Sequence, residues 1–169
     1  MREERPRRRH VRLREYDYSE NGAYFVTTNV KENRCLLSRI AVGRGLAPAE
    51  PRLTPLGEIA RQQILDLPRR FPHVSVDHYV VMPNHVHIIL SFRGDAAGAS
   101  PRPTLMQVVG AFKSLTARLC NQAMNTPGEK LWQDSFYESI LRGDKAYLDA
   151  WNYIDTNPAK WAEDEYYIP

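Results

Sequence analysis

Val80-Val81-Met82-Pro83-Asn84-His85-Val86-His87-Ile88-Ile89-Leu90 is the stretch on which the reading of this chain turns. Nowhere else do two histidines stand two residues apart inside a strand-like run. Side chains alternate across a β-strand, so His85 and His87 fall on one face and Val86 and Ile88 on the other. Two imidazoles side by side can hold one divalent metal. Pro83-Asn84 is a turn dipeptide between two β-branched runs, which predicts a tight hairpin with His85 at the start of its second strand.

Working outward, Val74 to Met82 forms the first arm of that hairpin. Upstream, Thr54-Pro55-Leu56-Gly57-Glu58 reads as an N-cap, a proline at the first helical position and an acid in the first turn. With Ile59, Ile64, Leu65 and Leu67 as apolar positions, a helix is predicted over 55–67, ending at Pro68. Ala23 to Val30, rich in aromatic and β-branched residues after Asn21-Gly22, predicts the first strand, and Leu36 to Val42 a short additional one.

Downstream, Gly94 to Pro103 is a glycine- and proline-rich loop. Thr104 caps a helix in which Leu105, Val108, Val109, Phe112, Leu115, Thr116 and Leu119 recur with helical period. Lys113 and Arg118 lie mainly outside that stripe and can face phosphate or solvent. After the turn at Asn125 to Gly128, residues 132–141 predict a last strand, with Phe136 and Ile140 on one face and Tyr137 and Ser139 on the other. Asp144 to Asn157 predicts a final helix with Tyr147, Leu148, Trp151 and Ile154 as its stripe. The order is βαββαβ plus an extra C-terminal helix, an α+β, ferredoxin-like plan with an antiparallel sheet. That plan hosts many functions and selects none.

Composition narrows the classes. The sequence has 169 residues, 43% hydrophobic and 25% charged, enough for one domain with an ordinary core. No apolar run is long enough to span a bilayer and no apolar segment follows the basic N-terminus, so a cytoplasmic protein is expected. Cys35 and Cys120 lack metal or redox spacing and read as free thiols.

Charge is unevenly placed. Seven arginines, at 2, 5, 7, 8, 9, 12 and 14, oppose Glu3 and Glu4, which puts +5 in the first fourteen residues and leaves −2 for the rest of a chain of net +3. We divide the chain into a basic arm, 1–20, and a single domain, 21–169. Arg5, Arg7, Arg8, Arg9, Arg12 and Arg14 can grip a phosphate backbone without reading sequence. A solubilising tail is the alternative.

The Met82-Pro83-Asn84-His85-Val86-His87 run resembles the HUH motif of single-tyrosine DNA-nicking enzymes, and specifically that of the REP-associated and other single-tyrosine transposases. The resemblance extends to Arg12 to Thr27, to Phe112-Lys113-Ser114, to Trp132, Phe136 and Tyr137, and to Tyr153-Ile154-Asp155-Thr156-Asn157-Pro158. It implies an endonuclease and strand transferase in which His85 and His87 hold Mg²⁺ or Mn²⁺ and Tyr153, on the C-terminal helix, attacks single-stranded or hairpin, REP-like DNA to leave a 5′-phosphotyrosine. Asn157, one turn beyond Tyr153, is the expected third ligand, or else a helix cap. Tyr147 is the rival nucleophile. Either a monomer or a homodimer is compatible with the resemblance.

Two other functions remain open. A non-catalytic nucleic-acid-binding module of the same fold would stack bases on Tyr24 and Phe25. A metal-dependent hydrolase would use water as nucleophile and leave no covalent adduct; the absence of a carboxylate from the local motif counts against it.

Overall fold

A computed structural model describes residues 22–41, 49–94 and 102–169. The arginines of the arm lie outside these residues, as do the arm's boundary and most of the loop that begins at Gly94. In chain order the elements are β1 (Gly22–Asn29), β2 (Ser38–Arg39), β3 (Arg52–Leu53), α1 (Pro55–Leu65), α2 (Leu67–Arg70), β4 (Val74–Val81), β5 (His85–Phe92), α3 (Leu105–Met124), β6 (Tyr137–Leu141) and α4 (Gly143–Thr156). Short 3-10 turns follow β1, at Lys31–Asn33, and α4, at Pro158–Glu163.

The main sheet has the order β4-β5-β1-β6 and is antiparallel throughout, as the ferredoxin-like plan requires. Strand alternation gives it two different faces. Tyr24, Val26, Val86, Ile88, Leu90 and Phe92 face the core shared with Ile64 of α1 and with Val108, Val109 and Phe112 of α3. Thr27 is paired across the ladder with both His87 and Tyr137, on the face left to α4 and the C-terminal segment.

Local chemistry explains the boundaries. Thr54 caps α1 through Gly57 N–H at 3.1 Å, and Thr104 forms a full capping box with Gln107 on α3. Helix 55–67 is in fact two: α1 stops at Leu65, and Pro68 sits in the first turn of α2. Proline has no N–H for the bond to Ile64 and its ring crowds that carbonyl, so the chain restarts a helix there.

Two strands are shorter than expected. Of the predicted strand 36–42, Val42 lies outside the described residues, and within 36–41 the ladder spans Ser38–Arg39, paired with Arg52–Leu53. In the predicted strand 132–141, Trp132 makes only an isolated bridge to Val30, and the ladder begins at Tyr137. Lys113 is the reason: its ammonium donates to the carbonyl oxygens of Gln133 (2.6 Å), Asp134 (3.2 Å) and Ser135 (3.2 Å), turning them away from the sheet. In α4, Ile154 is buried as expected, while Leu148 is 58% exposed.

Leu37 carbonyl oxygen is a hub: it accepts from Thr54 N–H at 2.9 Å, and a Cβ on Gly57 would stand 1.9 Å from it. Gly57→Ala is therefore expected to cost about 1–3 kcal/mol, at the upper end because the obstruction is backbone. Urea denaturation checks it; a loss below about 0.5 kcal/mol, the range of a neutral surface change, contradicts the packing described.

Candidate metal centre and nucleophile helix

The β4–β5 hairpin has a two-residue loop, Pro83-Asn84, closed by Met82 N–H donating to His85 O at 2.9 Å. Neighbouring backbone fixes it from outside, since Val30 N–H donates to Asn84 O (2.8 Å) and Leu37 N–H to Pro83 O (2.9 Å). His85 thus begins β5, and both histidines are almost wholly buried.

Their Nε2 atoms lie 3.0 Å apart. The outer nitrogens are tied down. Asn84 Nδ2 donates to the carbonyls of Asn33 (3.1 Å) and Tyr166 (2.7 Å), so its Oδ1 faces His85 Nδ1 at 2.8 Å. An amide oxygen can only accept, which makes His85 Nδ1 the donor and leaves its Nε2 a lone pair. His87 Nδ1 is 2.8 Å from Thr27 Oγ1, a hydroxyl able to donate or accept. In the metal-free network His87 Nε2–H donates to His85 Nε2. Moving that proton to Nδ1, with the Thr27 hydroxyl turned to accept, aims both lone pairs at one point.

A carboxylate completes the cluster. Asp164, from the segment after α4, places Oδ2 4.0 Å from His85 Nε2, and its side chain is 2% exposed. His85, His87 and Asp164 offer ligand atoms within 4.8 Å of one another. Asn157 lies beside them: its Nδ2 donates to Asp164 Oδ2 at 2.9 Å, and its buried Oδ1 has no hydrogen-bond partner. An orphaned carbonyl oxygen, two converging imidazoles and a carboxylate make a donor set that fits a hard divalent cation.

Electrostatics keep the histidines neutral. Burial lowers His85 to about 4, against the opposing pull of the Asp164 charge and the Asn157 amide. His87 is lowered well below its ordinary value by burial and then by His85. Neutral imidazole is the form that binds metal.

Tyr153 stands over this cluster on α4. Its ring centroid is 5.2 Å from that of His87 and 5.7 Å from that of Phe25, and it is 44% exposed. Burial, then Asp164 and Glu165, raise its pKa. The helix is held by an irregularity in β4 between Val76 and His78. Asp77 accepts from Tyr147 Oη at 3.0 Å and from Ser75 and Ser91, and His78 stacks on Trp151 at 4.2 Å while meeting Asp155 Oδ1 at 2.7 Å. Tyr147 is thus an anchor of α4 onto β4, with its hydroxyl on Asp77.

The structure brings His85, His87, Asn157 and Tyr153 together. Lys113 donates to three carbonyls of its own chain and is part-buried, and Arg118 is exposed. Tyr24, offered above as a stacking platform, is fully buried in the core; Phe25 faces the site and stacks on His87 at 25°. Sequence reasoning missed Asp164, Asn84 and Thr27. The last two were recoverable, because a metal-binding histidine ordinarily donates its other N–H to a fixed acceptor.

The antiparallel sheet thus carries a converging histidine pair beneath a tyrosine on α4, and the comparisons with known proteins place the chain among the transposases. Residues 64–157 match the sequence model of the family described as "Transposase IS200 like", and the chain belongs to that family. It is 30% identical to an uncharacterised protein of Haemophilus influenzae, covering 95% of this chain and 93% of the relative. A REP-associated tyrosine transposase of Escherichia coli K12 is 26% identical over 85% of this chain and 70% of its own length. Among solved structures, a REP-associated tyrosine transposase bound to a REP hairpin superposes with a TM-score of 0.61 at 25% identity, covering 88% of this chain and 73% of the other. A Deinococcus radiodurans protein shares the fold, with a TM-score of 0.50 at 19% identity, 86% of this chain and 95% of its own. Among the described residues no helix is long and apolar enough to cross a membrane.

Proposed function

We propose that this transposase is a divalent-metal-dependent, single-strand DNA endonuclease and strand transferase that acts on hairpin-forming DNA through Tyr153. The observation that carries the reading is the convergence of two neutral imidazole Nε2 atoms, 3.0 Å apart, under a tyrosine ring 5.2 Å from His87. The relative solved with a REP hairpin supports the substrate class.

His85, His87 and Asp164, with Asn157 Oδ1 beside them, are the residues that hold the ion, and their mixed nitrogen and oxygen donors suit Mg²⁺ or Mn²⁺. When bound, it supplies Lewis-acid polarisation and positioning of the scissile phosphate. The Tyr153 hydroxyl gives up its proton to solvent and its oxygen bonds to phosphorus as the bond from phosphorus to the 3′ oxygen breaks, the leaving oxygen taking up a proton, which gives a 5′-phosphotyrosine and a 3′-hydroxyl. Burial, and after it the charges of Asp164 and Glu165, raise the pKa of this phenol. A cation held by Asp164 would offset that residue's charge and so favour ionisation of the Tyr153 phenol. The covalent ester keeps the phosphodiester's energy, so rejoining by the reverse attack needs no nucleotide cofactor. The arginine arm and Arg118 grip the backbone of the hairpin, in a monomer or a homodimer.

Asp164 supplies the carboxylate that a water-activating hydrolase needs, so the adduct itself is the discriminating readout. Labelled hairpin DNA with single-stranded flanks, incubated with Mn²⁺ and run on a denaturing gel, is expected to give a covalent protein–DNA band that Tyr153→Phe and EDTA both abolish. Cleavage without that band establishes the hydrolase and overturns the tyrosine mechanism.

A further inference from the structure

On the side of Tyr153 away from Asn157, the sheet face of β1 and β6 is left open. A cleft of about 290 Å³ remains there, lined by Phe25, His87, Tyr137, Ser139, Leu141 and Tyr153, with Glu165 among its other walls. We propose that this cleft is a subsite for one unpaired nucleobase, that of the nucleotide next to the scissile phosphate. The inference rests on the reading of Tyr153 and His87 as the cleavage centre.

Size comes first. A volume near 290 Å³ is at the small end of ligand sites, right for a single ring system and too small for two stacked ones. The walls are aromatic where a base needs a face: Tyr137 is 41% exposed on the edge strand, and Phe25 is braced from behind by its stack on His87. Any base offers a π-face to such a platform.

Charge disfavours phosphate as the occupant. Among the described residues no lysine or arginine lines this cleft, and its carboxylate wall is Glu165, which repels phosphate and is of a type that accepts N–H from a base edge. Just across Tyr153 a second cleft of about 280 Å³ is lined by Lys160 together with Glu163, Asp164 and Glu165. Among the described residues α4 and the C-terminal segment cover the histidines yet leave Tyr137 and Ser139 at the cleft, which opens toward the sheet edge.

The test is equilibrium binding, which needs no cleavage. A DNA hairpin with single-stranded flanks is prepared with one abasic residue walked along each flank, and its affinity is measured by anisotropy for Tyr153→Phe and for Tyr153→Phe with Tyr137→Ala. In the first protein one flank position is expected to lose about 5- to 150-fold in affinity when its base is removed. In the second that penalty disappears. A control carrying Tyr137→Phe retains it, which separates stacking from any folding defect. A penalty of equal size with and without the Tyr137 ring overturns the subsite, as does the absence of any penalised position or of measurable binding. If no covalent adduct forms while the Tyr137-dependent penalty is present, the strand-transfer reading fails and the base subsite stands.

Discussion

Asn84→Ala is expected to lower Mn²⁺ affinity by about 10- to 100-fold, although Asn84 touches no metal. The reason is tautomeric. Asn84 is buried, and its amide nitrogen is committed to the carbonyls of Asn33 and Tyr166, so its oxygen is obliged to accept from His85 Nδ1. Without that acceptor His85 can carry its proton on Nε2, where it occupies the ligand position. The same change leaves two part-buried carbonyls without their donors, costing about 1 kcal/mol for each lost partner. It also unties the segment bearing Asp164, because the bond to Tyr166 O joins that segment to the hairpin turn.

Three variants separate the contributions. Thr27→Val removes an Nδ1 partner from His87 and nothing from the tail, so it should weaken metal binding with a smaller loss of stability. Asn84→Asp keeps an acceptor for His85 but sets a carboxylate against two carbonyl oxygens, and should be destabilised at least as much as Asn84→Ala. Calorimetric titration with Mn²⁺ beside thermal unfolding reads both quantities. Affinity for Asn84→Ala within about twofold of wild type would mean that backbone alone orients His85.

How much of this was legible in the sequence depends on how local each cause is. The hairpin, the caps at Thr54 and Thr104, and the sharing of one face by His85 and His87 follow from turn chemistry and strand alternation, and each is found where those rules put it. The start of β6 was not legible, since what ends the pairing after Trp132 is an ammonium twenty residues upstream. Nor was the exposure of Leu148: periodicity marks a stripe, while the width of sheet under α4 decides how much of it is covered. Asp164 is the instructive omission. It follows Pro158 in a stretch without period and reaches His85 only because the chain turns back over the hairpin. Pairing Asn157 with Tyr153 by helical spacing brought the right amide to the centre, but the carboxylate that its nitrogen holds was invisible to any spacing rule.

Acidification should destabilise the metal-free protein through this centre. His85 titrates near 4 in the folded chain and His87 well below its ordinary value, both chiefly through burial, whereas each returns to about 6.5 on unfolding. Between those limits the unfolded state binds more protons than the native state, so stability rises with pH in that interval and is lost as pH falls through it. Each histidine contributes up to about 1.4 kcal/mol per pH unit below 6.5. Urea unfolding in EDTA at pH 7 and pH 5 should therefore differ by several kcal/mol, and replacing both histidines with glutamine should remove most of the difference. The same depression has a second consequence: protons compete poorly for the ligand nitrogens, so Mn²⁺ affinity should change little between pH 7.5 and 6, where an exposed histidine pair is already losing metal. Equal stability at pH 7 and 5 in the metal-free protein would require the two imidazoles to take up a proton in place. That is possible only if one is shared across the 3.0 Å between their Nε2 atoms with Asp164 as its counter-charge, and the centre would then be proton-loaded, not vacant for metal, in acid.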